Sequence, residues 1–297
     1  MTWSIDTLSR DDLAAATEIL AAACAFDRAA AVADEKLFGA DPTGPAVALG
    51  ARRGGELVGV AAIGGNRLRV LAVRPDARGH GAGGALLDAA IDRLRATNAN
   101  VVRTLDLPGN YLAPGIDARN ALAIGWLERR GFRALDKRNC DLVIDVANNS
   151  QVSAERAAML TIPLATIGYE VRRARADEGE LLLAIASDFG GAWPWEVAMA
   201  MGGDPPGVWV AVRDREYAAF AAHDGNNRGL GWFGPAGTWP DHRGRGLGEA
   251  LLVACLVDVA ARHPTCEVAW IGPREFYRRV AGIAGEREFV VLQRALG

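Results

Sequence analysis

Leu71-Ala72-Val73-Arg74-Pro75-Asp76-Ala77-Arg78-Gly79-His80-Gly81-Ala82-Gly83-Gly84-Ala85-Leu86-Leu87 returns later as Ala236-Gly237-Thr238-Trp239-Pro240-Asp241-His242-Arg243-Gly244-Arg245-Gly246-Leu247-Gly248-Glu249-Ala250-Leu251-Leu252. The offset is constant, 236 − 71 = 165, with no gap, and Pro, Asp, Arg, three Gly and Ala-Leu-Leu coincide in register. Such self-similarity at a fixed spacing marks a duplicated structural unit. In both copies Arg-Gly-x-Gly-x-Gly separates a β-rich run from a long amphipathic one, which predicts strand, glycine loop and helix. The first turn of a helix has unpaired N–H groups and the positive end of the macrodipole, so it attracts an anion. Glycines let the backbone approach that anion, and the preceding arginine adds a charge-assisted bond. The physical content is a phosphate or pyrophosphate cradle, present twice.

The flanks repeat as well. In the first half Trp3 to Leu8 predicts a strand, and Ser9 caps a helix beginning near Asp11. Ala46 to Arg52 and Leu57 to Ile63 form a hairpin across Gly54-Gly55, and Arg67 to Val73 leads into the glycine loop. A helix to about Arg95, strand Val101 to Leu107, helix Asp117 to Arg130 (ended by Gly131) and strand Cys140 to Val146 follow. The second half repeats the order: strand Tyr169 to Ala174, a helix near Asp177, and strands Val208 to Val212, Tyr217 to Ala222 and Leu230 to Thr238. The second loop and helix, strand Glu267 to Ile271, a helix from Pro273 and strand Glu288 to Arg294 complete it. Polar Ala147 to Ser153 reads as a linker, with a bridging helix over Glu155 to Ala165. The expected domains are therefore 1–148 and 167–297, joined through 149–166.

The chain has 297 residues, enough for two domains that each bury a core. A net charge of −3 gives no global positive field toward nucleic acid or an anionic membrane. The cysteines Cys24, Cys140, Cys255 and Cys266 form no C-x-x-C pair, and the four histidines have no metal-ligand spacing. Reduced thiols, no signal peptide and no apolar run long enough to span a bilayer lead us to expect a cytoplasmic protein without metal.

Two rival cradles fare worse. Gly79-x-Gly81-x-x-Gly84 formally matches the dinucleotide fingerprint, with Asp106 near the place of a ribose-binding acid. Yet five residues intervene between strand and first glycine, and the second copy has Glu249 where the third glycine belongs. No G-K-[ST] is present, which excludes a triphosphate P-loop.

Arg78-Gly79-His80-Gly81-Ala82-Gly83 and Arg243-Gly244-Arg245-Gly246-Leu247-Gly248 fit the R/Q-x-x-G-x-G/A signature of the GNAT superfamily of N-acetyltransferases. With the order of flanking elements, the chain resembles two such domains in tandem, an arrangement similar in architecture to mycothiol synthase. The resemblance implies an α/β (α+β) fold, each domain a mixed, mostly antiparallel sheet flanked by helices. It implies acetyl-CoA as cofactor, its pyrophosphate held by the loops Arg78, Gly79, His80, Gly81, Ala82, Gly83, Gly84 and Arg243, Gly244, Arg245, Gly246, Leu247, Gly248, Glu249. The backbones of Leu71, Ala72, Val73 and of Ala236, Gly237, Thr238 would pair with the pantetheine arm, and an N–H there would stabilise the oxyanion.

The resemblance also assigns Tyr277, in Phe276-Tyr277-Arg278-Arg279, as the group that protonates the departing thiolate. A phenol is protonated at neutral pH and can donate to a thiolate as it forms. The first copy has Leu127 in that place, so the N-terminal domain reads as degenerate or regulatory and the C-terminal one as catalytic. Tyr111 could substitute for the missing tyrosine, but it reads as a loop anchor first. Exposed surface charge is the better reading of His223, Asp224, Glu196 and Glu267, and no general base is named. Trp193, Trp195 and Trp232 are candidates for the acceptor pocket, with core packing the rival reading. The expected function is acetyl-CoA-dependent N-acetylation of a small amine by direct attack on the thioester. The rivals are a non-catalytic acyl-CoA sensor or interaction module and a nicotinamide-dependent oxidoreductase. No nucleic-acid or membrane partner is expected, and monomer and homodimer both fit.

Overall fold

A computed structural model describes residues 3–297. In chain order the elements are β1 (Ser4–Thr7), α1 (Leu13–Ala23), α2 (Ala33–Phe38), β2 (Val47–Arg53), β3 (Glu56–Gly64), β4 (Arg67–Val73), α3 (Ala82–Ala96), β5 (Val101–Thr104), β6 (Ile116–Asp117), α4 (Ala121–Glu128), β7 (Arg133–Ala134) and β8 (Asn139–Asp145). Then come α5 (Ala154–Thr166), β9 (Glu170–Arg173), α6 (Gly179–Asp188), α7 (Trp193–Met201), β10 (Val208–Arg213), β11 (Glu216–His223), β12 (Trp232–Thr238), α8 (Leu247–Ala260), β13 (Thr265–Val268), α9 (Arg274–Ala281), β14 (Gly285–Val290) and β15 (Leu292–Ala295). They build two mixed, mostly antiparallel sheets, β1-β2-β3-β4-β5-β15-β7 and β6-β14-β8-β13-β12-β11-β10-β9.

The final strands are exchanged. β8, last strand of the first copy in sequence order, pairs antiparallel with β13 of the second sheet, from Leu142↔Val268 to Asp145↔Thr265. β15, from the end of the chain, pairs antiparallel with β5 of the first sheet, Val101↔Ala295 to Arg103↔Gln293. Alternation fixes which face of a strand is buried, but two like sheets offer the same vacancy, so pattern alone does not choose the partner. The compact units are accordingly Met1–Asn139 with Glu288–Gly297, and Cys140–Arg287, in place of a division into 1–148 and 167–297. The stretch read as a linker contains α5, which packs inside the second unit: Ala157 and Leu160 lie against the core of Leu251, Cys255 and Val280.

In the first unit Leu86, Leu87, Ile91 and Leu94 of α3 bury against Val58, Ala61 and Leu68. In the second, Leu251, Cys255, Leu256 and Val259 of α8 cover Leu142, Ile144 and Phe233, while α6 and α7 cover Val208, Val210 and Phe220. Helix α7 has Trp193-Pro194-Trp195 as its first turn, where the proline's missing N–H costs nothing. Among the described residues no helix is long and apolar enough to cross a membrane.

One buried carboxylate ties the outer strands of the second unit to α6. Glu178 accepts from Arg172 Nη1 and Nη2 at 2.9 and 2.7 Å, from the Arg175 N–H at 2.7 Å and from the Tyr217 hydroxyl at 3.2 Å. The Arg172 bonds, helped by the Arg175 N–H and opposed by burial, pull its pKa down from 4.5 to about 2. A depressed folded pKa contributes stability that is complete above the unfolded value and lost as pH falls through the folded one. Urea melts of wild type should therefore weaken from about pH 4.5 to about pH 2. Glu178→Gln should be less stable at pH 7 and lose less over that interval; an unchanged acid slope would count against this assignment.

Candidate functional site

In both units the central strand parts from its parallel neighbour at the same point of the repeat. β4 pairs with β5 only at Arg67↔Arg103 and Leu68↔Thr104, and β12 with β13 only at Trp232↔Glu267 and Phe233↔Val268. Leu105 and Trp270, again 165 apart, then take left-handed backbones, φ 65° and 51°. Such a conformation is uncommon outside glycine and turns the chain sharply, so β5 ends at Thr104 and not at Leu107 as the sequence suggests. The parting leaves the edges of Val70 to Val73 and of Gly234 to Thr238 without a strand partner on that side.

At the end of each unpaired edge lies the glycine loop. Gly81 and Gly246 occupy the N-cap positions of α3 and α8 with φ 95° and 86°, and neither helix has a side-chain cap. The first-turn N–H groups thus point outward without an acceptor from the cap residue. The arginines brace the loop: Arg78 Nε donates to the Val73 carbonyl at 3.0 Å and Arg243 Nε to that of Thr238 at 3.1 Å. Arg78 Nη2 also reaches the Ala23 carbonyl at 3.3 Å. At the third glycine a Cβ on Gly83 would lie a tight 3.3 Å from the Trp126 ring, and one on Gly248 an ordinary 3.7 Å from Phe276. Trp126 and Phe276 therefore hold equivalent places, which makes Leu127 the counterpart of Tyr277.

The first unit has an open cleft of about 670 Å³ from this loop through the parting of the strands. Leu71, Ala72, Val73, Arg78, Gly79, Gly81, Ala82, Gly83 and Gly84 all line it; His80 does not, its carbonyl being taken by the Trp3 indole at 2.8 Å. Phe26, Leu105, Leu112 and Ile116 make its far end apolar, and Tyr111 is buried. Cys24 also lines the cleft, but burial, with Asp27 adding to it, pushes its pKa up to about 12, so it offers no thiolate. Asp106 is no ribose ligand: it is buried and accepts from Arg67 Nε at 2.8 Å and from Arg103.

The second unit is more crowded. The Phe189 and Phe220 rings stand 2.7 and 2.8 Å from where a Cβ on Gly237 would be, in a cluster with Trp193 and Trp239. Trp193 is half-buried beside that cluster, stacked on Phe189 at 5.4 Å. Trp232 is buried on β12, and Trp195 is half-buried on α7. Leu247 is buried, Ala236 packs partly on the core, Arg245 donates to the Asp241 carbonyl, and Glu249 pairs with Arg156 at 2.8 Å. The Tyr277 ring packs edge-to-face on Phe233, the last residue of β12 paired with β13, at 6.3 Å. Burial lifts its pKa to about 12, and among the described residues its hydroxyl has no hydrogen-bond partner.

The acid–base candidates have structural occupations. His223 lies between Asp224 (3.0 Å from Nδ1) and Asp258 (3.3 Å from Nε2). Burial lowers its pKa, but the two carboxylates outweigh that and leave it raised. Glu196 is buried on α7, and Glu267 pairs with Arg287 at 2.7 Å. Beside Glu267, buried Asp141 accepts the Trp270 N–H at 2.7 Å; burial and the Glu267 charge hold its pKa well above the ordinary range.

Residues 13–132 match the model of the Acetyltransferase (GNAT) family. Three solved structures are similar over almost the whole chain. One is a fungal multi-domain GH3 β-N-acetylglucosaminidase with a GCN5-related glucosamine N-acetyltransferase region (TM-score 0.75, 20% identity, 98% of this chain but 38% of that one). Another is a tandem GNAT protein from the clavulanic acid biosynthesis pathway (TM-score 0.74, 18% identity, 100% and 99% covered). The third is a GCN5-related N-acetyltransferase from Sphaerobacter thermophilus (TM-score 0.67, 20% identity, 99% and 96% covered). No curated protein sequence matches. The chain has the GNAT acetyltransferase fold, and it has it twice.

Proposed function

We propose that this chain is an acetyl-CoA-dependent N-acetyltransferase acting on a small amine, with the thioester attacked directly and Tyr277 of the C-terminal copy serving the departing thiolate. The observation that carries the acyl-CoA part is the first unit's cleft, which joins an uncapped glycine loop to an unpaired strand edge. A diphosphate suits the one and an amide-bearing pantetheine arm the other. Leu127 leaves the first copy without a proton donor, which favours acyl-CoA holding without turnover there. In the second copy Tyr277 lies where the strands part, with its hydroxyl uncommitted. A small amine acceptor agrees with the glucosamine named for the fungal relative's region.

The test is calorimetric titration of acetyl-CoA into the whole chain, followed by thiol release against a panel of amines. Arg78→Glu should weaken binding about 10- to 100-fold, through loss of a charge-assisted bond and added repulsion. A wild-type chain that takes up no acetyl-CoA would sink the proposal. Binding without thiol release across the panel would leave a sensor as the better description.

A further inference from the structure

The two cradles differ at one place. Gly84 lines the first unit's cleft, and Glu249 is its counterpart at the offset of 165. With Trp126 equivalent to Phe276, Arg130 is the counterpart of Val280. The Arg130 guanidinium stacks 3.8 Å above the Trp126 ring, with Nη1 on the Trp126 carbonyl at 3.1 Å. Its Nη2 is the nearest atom, at 3.9 Å, to where a Cβ on Gly84 would be. A guanidinium therefore overlooks the first turn of α3 with no carboxylate facing it from residue 84.

In the second unit a guanidinium also reaches the first turn of the helix, but it comes from α5. Arg156 Nη1 donates to the Val280 carbonyl at 2.8 Å and to that of Gln151 at 2.7 Å. Its Nη2 meets Glu249 Oε1 at 2.8 Å, so the first turn of α8 already carries an anion with its own counter-charge. The same segment is fastened again by Asn149, whose amide donates to the Ala281 carbonyl at 2.7 Å, at the end of the helix that bears Tyr277. An incoming diphosphate would meet Glu249 at close range, and like charges at such separations repel by amounts that matter.

We propose that Arg156 and Glu249 form a latch over the C-terminal cradle, which admits the CoA diphosphate only when the phosphate replaces Glu249 as the partner of Arg156. The inference rests on the acyl-CoA reading above. It makes the two copies unequal: the first binds acyl-CoA readily, and the second binds it against an internal competitor.

Titration calorimetry with acetyl-CoA tests this on the full-length chain. Wild type should bind about one equivalent tightly, and Arg78→Glu should weaken it about 10- to 100-fold. Glu249→Gly should bind two, the second at least about 10-fold tighter than in wild type and retained in the Arg78→Glu background. Glu249→Gln, which keeps the side chain's size, should give the same direction if glycine disturbs α8. Adding Arg156→Gln to Glu249→Gly should take part of the gain away, because Arg156 would then be missing as phosphate partner. The latch is overturned if neither Glu249 variant adds an equivalent, or if wild type already binds two with equal affinity. Absence of binding to every chain, wild type included, would overturn the acyl-CoA reading and the latch together.

Discussion

Replacing Tyr277 by phenylalanine lowers kcat about 100-fold at saturating acetyl-CoA and leaves KM for acetyl-CoA within about twofold, the size and pattern of a lost acid catalyst. The ring's packing survives the change, since its edge-to-face contacts with Phe233 and Phe276, at 6.3 and 5.2 Å, involve no hydroxyl. Only the O–H is lost, and folding does not use it. A phenol raised to about 12 is a weak acid, so its part is a strong hydrogen bond to the developing thiolate more than a completed transfer. The burial that lifts the phenol lifts a thiolate in the same apolar place, which narrows the gap between them. The raised value also fixes a sign: Tyr277 stays protonated as pH rises through 10 and ionises only near about 12. Ionisation of Tyr277 should then put no falling limb into the kcat–pH profile below about pH 11. Steady-state thiol release with the best amine of the panel decides the matter; a phenylalanine variant within about threefold of wild type would remove Tyr277 from the mechanism.

The glycine loops and the strand edges before them could be read from the residues because each depends on local pattern, whereas Tyr277 came from the resemblance to the family. Glycine spacing and β-alternation are written within a few positions of one another. The exchange of β8 and β15 could not be read, since Leu142 and Ile144 satisfy either sheet equally and the choice is made by partners more than a hundred residues away. The turning of the strands at Leu105 and Trp270 has no residue signature, because nothing in leucine or tryptophan favours a positive φ. Arg156 and Glu249 are 93 positions apart, so their pairing follows from the packing of α5 on α8 alone. The tryptophan-rich segment at Trp193 shows the ambiguity of large aromatics: Trp193 and Trp195 are both half-buried on α7, and composition does not separate core packing from a pocket wall.

Replacing Arg69 by methionine destabilises the first unit by about 3 kcal/mol or more, the usual consequence of breaking a fully buried ionic cluster from one side. Arg69 has no exposed surface, although as one of the polar residues of β4 it reads like a solvent-facing position. Its Nη1 donates to the Gly39 carbonyl at 2.8 Å and its Nη2 to that of Glu35 at 3.2 Å. Nη1 also lies 3.9 Å from Asp41 Oδ2, an oxygen with no hydrogen-bond partner in a side chain that is itself fully buried. Methionine keeps most of the volume but leaves two carbonyls and the Asp41 charge without the guanidinium. Burial draws the Arg69 pKa down to about 10, with Asp41 and Glu35 opposing the shift, so the group is still charged at neutral pH. Arg69→Lys should restore only part of the loss, because an ammonium cannot span both carbonyls as the planar fork does. Arg69→Met with Asp41→Asn should recover more, since the stranded charge is then gone, and the shortfall from additivity measures the coupling. Urea denaturation supplies these numbers, and a loss below about 1 kcal/mol for Arg69→Met would refute the account. The consequence reaches the cleft as well. Arg69 fastens α2 and the turn after it to β4, the strand whose next residues, Val70 to Val73, form the unpaired edge. A strand that offers its backbone to a ligand on one side has lost one of its two ladders, and a buried arginine under it replaces part of the rigidity that a neighbouring strand would supply. Acetyl-CoA affinity should therefore fall in Arg69→Met even where the protein is fully folded, and recover with stability in the double variant.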